Sequence, residues 1–140
     1  MPLAQLVPLA AAGRAGFVSL QKPMPAADHA ALSQFPGLAD ISAELADFGD
    51  TAAVIANLDL VITVDTAVGH LAGAMAKPVW ILLPKASDWR WLSERSDSPW
   101  YPTARLFRQV TPGAWDPVIA AAAAALAQEL RAGAQGIAAN

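Results

Sequence analysis

The chain has 140 residues, 55% of them hydrophobic and only 15% charged, with a formal net charge of −3. That length suits one modest domain, and that composition a heavily buried one, which excludes a disordered chain. The acidic balance excludes general nucleic-acid binding, and the absence of cysteine excludes disulfides, thiolate chemistry and cysteine-based zinc sites.

In chain order, residues 3–12 (LAQLVPLAAA) have the composition of a short helix, with Pro8 near its start or interrupting it. Gly13 and Gly16 mark a turn, and Phe17–Leu20 reads as a short strand closed by Gln21, Lys22 and Pro23. Residues 23–37 read as a loop around one weak helical turn. Leu38–Ser42 reads as a short strand or extended loop. Then 50-DTAAVIANL-58 has helical spacing with Asp50 placed as its N-cap, and the acids of 44-ELADFGD-50 read as a solvated or capping set.

Leu60–Val64 and Val79–Leu83 are near-continuous apolar runs, the pattern of strands covered on both faces in a parallel sheet. Between them Thr66–Ala76 reads as a helix stopped by Lys77-Pro78. Residues 84–103 concentrate three of the five tryptophans and the one tyrosine in a long aromatic connection. Arg105–Val110 is a further strand and Trp115–Leu130 a final helix. The Gly/Ala-rich tail, 132–140, reads as flexible, which leaves 1–131 as one domain.

The alternation implies an α/β fold with a mostly parallel sheet, right-handed crossovers and a ligand edge beyond the carboxyl ends of the strands. Gln21–Lys22, Asp65–His70 and Pro84–Trp91 should meet at that edge. In 65-DTAVGH-70, Asp65 or Thr66 can cap the helix start. The same free amides and helix dipole favour an anion, and Ala67 and Gly69 are small enough for a phosphate to approach the backbone. His70 lies one turn in. A helix N-terminus disfavours imidazolium, whereas a bound diphosphate favours it.

Each feature has a plain structural alternative. Asp-Thr is an ordinary cap, and His70 can bond a backbone group. Lys22 can be a solvated lysine instead of a phosphate ligand. Trp89, Arg90 and Trp91 can pack the loop instead of covering a base or sugar. The two histidines, His29 and His70, have no metal-ligand spacing. No apolar run reaches the ~18 residues of a membrane span, and no basic segment precedes the apolar N-terminus; both point to a cytoplasmic protein. No catalytic triad or paired-carboxylate pattern is present, and no glycine-rich dinucleotide fingerprint follows a strand.

The segment 50-DTAAVIANLDLVITVDTAVGHLAGAMAKPVWILLP-84 closely resembles the donor-binding half of the heptosyltransferase-like (family 9-type, GT-B) glycosyltransferases. With 17-FVSLQK-22 and 88-DWRWLSERSDSPWYPTARLFRQ-109, it is similar to the version found at the C-terminal end of tetratricopeptide-repeat proteins. The resemblance implies a Rossmann-like, C-terminal GT-B half that binds a nucleotide-sugar with no obligate metal. It places the donor diphosphate at Asp65, Thr66 and His70, and the loop of Gln21 and Lys22 and the helix start at Thr51 near the nucleotide. The family's usual glycine after Asp-Thr is here Ala67. The family's first donor-domain strand, central in its sheet, has no counterpart, so a gap or a direct pairing is expected between the strands at Phe17 and Leu60. The acceptor domain and its catalytic base also have no counterpart. Met1 fits a genuine start and a gene fragment equally.

Two functions follow as expectations. One is a donor-binding domain that transfers sugar only with an acceptor domain, supplied for example by an upstream tetratricopeptide-repeat polypeptide. The other is a non-catalytic remnant or interaction module that retains the fold.

Overall fold

The computed structural model describes residues 1–138. The chain is an α/β protein with parallel sheets and flanking helices. Where the sequence suggests one domain over 1–131, the chain forms two compact units. One comprises Met1–Ser42 with the segment from Trp115 onward; the other is Ala43–Ala114.

The first unit opens with a 3-10 helix, Leu3–Ala12, that contains Pro8. Proline has no amide to donate to an α-helical ladder and its ring crowds the preceding turn, so the tighter winding replaces a regular α-helix. β1 (Phe17–Ser19), α1 (Ala26–Leu32) and β2 (Leu38–Asp40) follow, and β1 pairs with β2 in parallel, Phe17 opposite Leu38. The Leu3 amide donates to Asp28 Oδ1 at 2.9 Å, tying the 3-10 segment to α1. The Phe17 and Phe35 rings meet edge to face at 5.0 Å. α4 begins at Asp116 and buries Val118, Ile119, Ala122, Ala125 and Leu126 on one stripe. It continues to Ala138, through most of the segment read as a flexible tail, because its Ala-rich sequence has high helix propensity. Residues 139–140 of that tail lie outside the described residues.

The second unit contains α2 (Phe48–Ala56), β3 (Val61–Val64), α3 (Ala67–Ala74), β4 (Val79–Leu83) and β5 (Ala104–Arg108). The three strands run parallel in the order β3-β4-β5, with Val64 opposite Leu82 and Leu83 opposite Arg108. β4 is central and all five of its side chains are buried, as its unbroken apolar run requires. β1 pairs with β2 in the first unit, and β3 with β4 in the second.

α2 starts earlier than the sequence suggests. Its N-cap is Asp47, not Asp50: Asp47 Oδ1 accepts from the Gly49 and Asp50 amides at 2.7 and 3.0 Å, and Asp50 Oδ2 accepts from the Asp47 amide at 3.4 Å. This reciprocal box makes capping groups of the acids, and Asp50 its third helical residue. α3 ends at Ala74, short of Ala76, which takes a left-handed conformation (φ 55°) and reverses the chain before Pro78.

α3 lies close on its sheet through Gly69, Ala72 and Gly73, all buried. A Cβ at Gly69 would fall 2.8 Å from Ile81 Cδ1 and 3.1 Å from Thr63 Cγ2; one at Gly73 would fall 2.5 Å from Tyr101 Cγ. Gly73→Ala should therefore destabilise the protein by about 1–3 kcal/mol despite alanine's better helix propensity. Gly133, in α4, has open space around it, so Gly133→Ala should leave stability unchanged or raise it by up to ~1 kcal/mol. Chemical denaturation of the two variants checks both signs.

Candidate functional site

The carboxyl ends of β3 and β4 bring two of the three expected loops to one edge of the three-stranded sheet. β3 leads into Asp65, Thr66 and Ala67, all exposed, and β4 into residues 84–103. The third loop, Gln21–Lys22, follows β1 in the other unit, where both residues are exposed and the Gln21 side chain donates to the Pro23 carbonyl at 3.5 Å.

Thr66 occupies the N-cap position of α3, yet no side chain caps the helix. The Thr66 hydroxyl instead bonds the Thr63 hydroxyl at 3.0 Å. The first amides to fold back on the chain are those of Gly69 and His70, both onto the Thr66 carbonyl at 3.0 and 3.3 Å. The start of the helix thus presents N–H groups and the positive end of its dipole at an exposed edge. Ala67 faces solvent there. Gly69 does not: its missing side chain serves the approach of α3 to Thr63 and Ile81.

The His70 ring is half-buried and both its nitrogens face partners. Nδ1 lies 3.0 Å from the Tyr101 hydroxyl, and Nε2 lies 3.5 Å from Asp65 Oδ1. The Nδ1–Tyr101 contact is a hydrogen bond whose donor is set by the imidazole tautomer, and the Nε2–Asp65 contact is an ion-pair distance. The ring stacks on Trp91, centroids 5.1 Å apart with planes 23° apart, and Tyr101 meets it edge-on at 5.7 Å. Trp91 is fully buried. His70 therefore joins α3 to the aromatic loop and steadies Asp65.

Asp88 opens a 3-10 turn, Trp89–Trp91, and its Oδ1 accepts from the Arg90 amide at 3.0 Å and from Arg90 Nη1 at 2.9 Å. The Arg90 guanidinium also lies 4.8 Å from the centroid of the Trp89 ring. The charge expected to meet a phosphate is thus balanced locally by Asp88. Trp89 is 66% exposed and meets Trp100, 58% exposed, edge to face at 6.3 Å. Thr51 is buried in the first turn of α2, its hydroxyl donating to the Asp47 carbonyl at 3.0 Å, so it presents no free hydroxyl.

Sequence reasoning missed the residue that holds the loop. Arg108, at the end of β5, donates to the Ser87 hydroxyl through Nη1, and through Nη2 to the Trp91 and Leu92 carbonyls at 3.0 and 2.7 Å. Burial lowers its pKa from the usual arginine value. Its neighbour Gln109, buried, accepts from the Lys85 and Gly113 amides at 3.4 and 3.1 Å. The signal was present: two consecutive polar residues, Arg108 and Gln109, where β5 ends. Among the described residues, no cluster of three or more His, Asp or Glu side chains is positioned to hold a metal. No helix there is long and apolar enough to cross a membrane.

Residues 26–97, just over half of the chain, match the family Glycosyltransferase family 9 (heptosyltransferase). The chain belongs to glycosyltransferase family 9. The matched stretch includes Asp65–His70 and Trp89–Trp91, while Trp100, Tyr101 and Arg108 lie beyond it. The chain is also similar to Protein FlbA of Caulobacter vibrioides, with 41% identity over 81 residues. That alignment covers 58% of this chain and 13% of FlbA, so this family 9 chain corresponds to a small part of its relative's length. No solved structure matches the chain.

The Asp88 cap has a defined acid limit. The Arg90 backbone N–H, most strongly, and the Arg90 guanidinium hold the Asp88 carboxyl below its ordinary value, against an opposing cost of desolvation. A lowered folded pKa means the cap's stabilisation is present above the ordinary aspartate value and is lost as pH falls through the folded one. Tryptophan fluorescence should therefore change on acidification below about pH 4 as the Trp89–Trp91 turn loosens. Asp88→Asn, which keeps an accepting oxygen but not the titration, should remove that component.

Proposed function

We propose that the chain is the donor-binding part of a sugar-transferring glycosyltransferase, holding a nucleotide-sugar with its diphosphate over the first turn of α3. The observation that carries this reading is the uncapped start of α3, exposed at the carboxyl edge of a parallel strand. Backbone amides and the helix dipole would bind the diphosphate at Thr66 and Ala67. Asp65, steadied by His70, would orient the ligand by accepting from its hydroxyl groups. Trp89 and Arg90 would flank the nucleotide-sugar. Thr51 is proposed as a residue that shapes the start of α2 near it. No obligate metal is needed for such binding, so a chelator should leave it unchanged.

Transfer further requires an acceptor held in line with the anomeric carbon and a base to activate it. We place both on a separate region or polypeptide of the tetratricopeptide-repeat type, with this chain as an incomplete enzyme on its own. Similarity to a short stretch of a much longer relative supports that division. The proposed compartment is the cytoplasm.

A second reading, an interaction module that keeps the fold without the ligand, draws on the exposed Trp89–Trp100 pair and on the internal bonds that occupy His70. Nucleotide titration separates the two. In the donor reading, UDP, ADP or GDP at millimolar concentration raises the melting temperature and shifts the amide resonances of 65–70. Ala67→Glu places a carboxylate at the helix start, which favours the fold through the dipole but repels a diphosphate. It should abolish the nucleotide effect while keeping the melting temperature of the free protein. Failure of every nucleoside diphosphate to move either signal overturns donor binding and leaves the interaction module.

A further inference from the structure

The two outer edges of the three-stranded sheet are finished differently. Along β5, the Leu106 amide donates to the Ser96 carbonyl at 2.7 Å and Asp97 bridges Arg105 in antiparallel sense, so the preceding loop covers that edge. Along β3 no segment pairs with the outer edge among the described residues. The Val61 amide donates to the Pro78 carbonyl at 3.0 Å, and the register turns Thr63, two residues on, toward β4 in the same way. Backbone groups alternate in direction along a strand, so the N–H and C=O of Ile62 and Val64 point away from β4. Among the described residues nothing hydrogen-bonds these groups, although both residues are half-buried. Unpaired backbone groups held partly out of water favour a partner.

Open edges are commonly blunted by a charged side chain, a proline or a bulge. β3 reads VITV in an unbroken register, with none of these and every residue β-branched. Such a sequence keeps the backbone extended and suits apolar neighbours. A second copy fits poorly. Matching Ile62 against Val64 makes two copies of β3 antiparallel about Thr63, which sets Asp65 of one a diagonal step from Asp59 of the other. Both are exposed acids, and symmetry repeats the conflict. A different polypeptide avoids it, and Asp59 then favours a basic residue beside the start of β3.

We propose that the open edge of β3 receives an extended, apolar segment of a partner polypeptide, with lysine or arginine at the end that lies beside Asp59. The contact is made by the backbone of Ile62 and Val64 and stands whether or not a nucleotide binds at the start of α3.

Titration of the whole chain with a dye-labelled peptide of alternating valine and threonine, with lysine at both ends, tests it. Fluorescence anisotropy should show saturable binding. Amide exchange should slow about tenfold or more at Ile62 and Val64, and less at Val61 and Thr63, which already face β4. The same peptide N-methylated throughout should bind at least about tenfold more weakly, the scale of two backbone hydrogen bonds. Asp59→Lys should leave the melting temperature unchanged and shift the preference toward a glutamate-ended peptide by about twofold to fivefold at low salt. Absence of saturable binding overturns the proposal, as does equal binding of the N-methylated peptide, or protection that appears outside β3. An unchanged preference in Asp59→Lys overturns the basic partner. A free chain that sediments as a dimer with Ile62 and Val64 already protected overturns the proposal in favour of pairing between copies.

Discussion

The close approach of α3 to its sheet is the constraint on which the candidate site depends. Gly69 and Ala72 bring the helix down onto β3 and β4, and Gly73 leaves room for the Tyr101 ring. With Tyr101 seated there, its hydroxyl reaches His70, and His70 in turn faces Trp91 and Asp65. A methyl added at Gly73 would fall on the Tyr101 ring and displace the first member of this series. The small residues of 65-DTAVGHLAG-73 thus have two distinct duties: Ala67 keeps the helix start open to solvent, and the two glycines set the depth at which the helix lies.

Electrostatics at this edge are local. The chain is acidic overall, and its exposed cations on the aromatic loop are partly balanced, Arg90 by Asp88 and Arg95 by Asp97. Two features carry positive potential there: the peptide dipoles at the start of α3, and Lys85 and Arg108, for which no salt bridge to a carboxylate is found among the described residues.

Much of the fold was legible because hydrophobic pattern is a local property. The apolar run at Val79–Leu83 is a strand buried along its whole length, whereas that at Leu60–Val64 forms the edge strand β3, of which only Val61 is buried; the pattern between them is a helix. The ligand edge followed from the parallel topology. Other features depend on partners distant in sequence and were not legible. Asp47 becomes the cap of α2 because Asp50 can answer it three residues later, a choice between two aspartates that spacing alone leaves open. The tether from Arg108 to 87–92 joins groups about 16 to 21 residues apart, and the contact of His70 with Tyr101 spans 31. Gly69 was read as room for a ligand when its missing side chain faces the sheet, because sequence does not say which face of a short helix a glycine occupies.

The aromatic loop has one consequence for time as well as for space. β4 is paired on both sides and buried along its whole length, so its amides belong to the slowest-opening part of the unit. Within the segment 84–103, residues 96–103 are tied to the strands by backbone bonds such as Leu106 N–H to the Ser96 carbonyl at 2.7 Å, while residues 85–92 are held by side-chain bonds from Arg108 and Gln109 and by the seating of Trp91. Such a segment can open locally while the sheet stays closed. Each opening lifts Trp91 from His70, and the imidazole loses the surface that fixes its plane. Hydrogen exchange at 87–92 would report such opening independently of global stability.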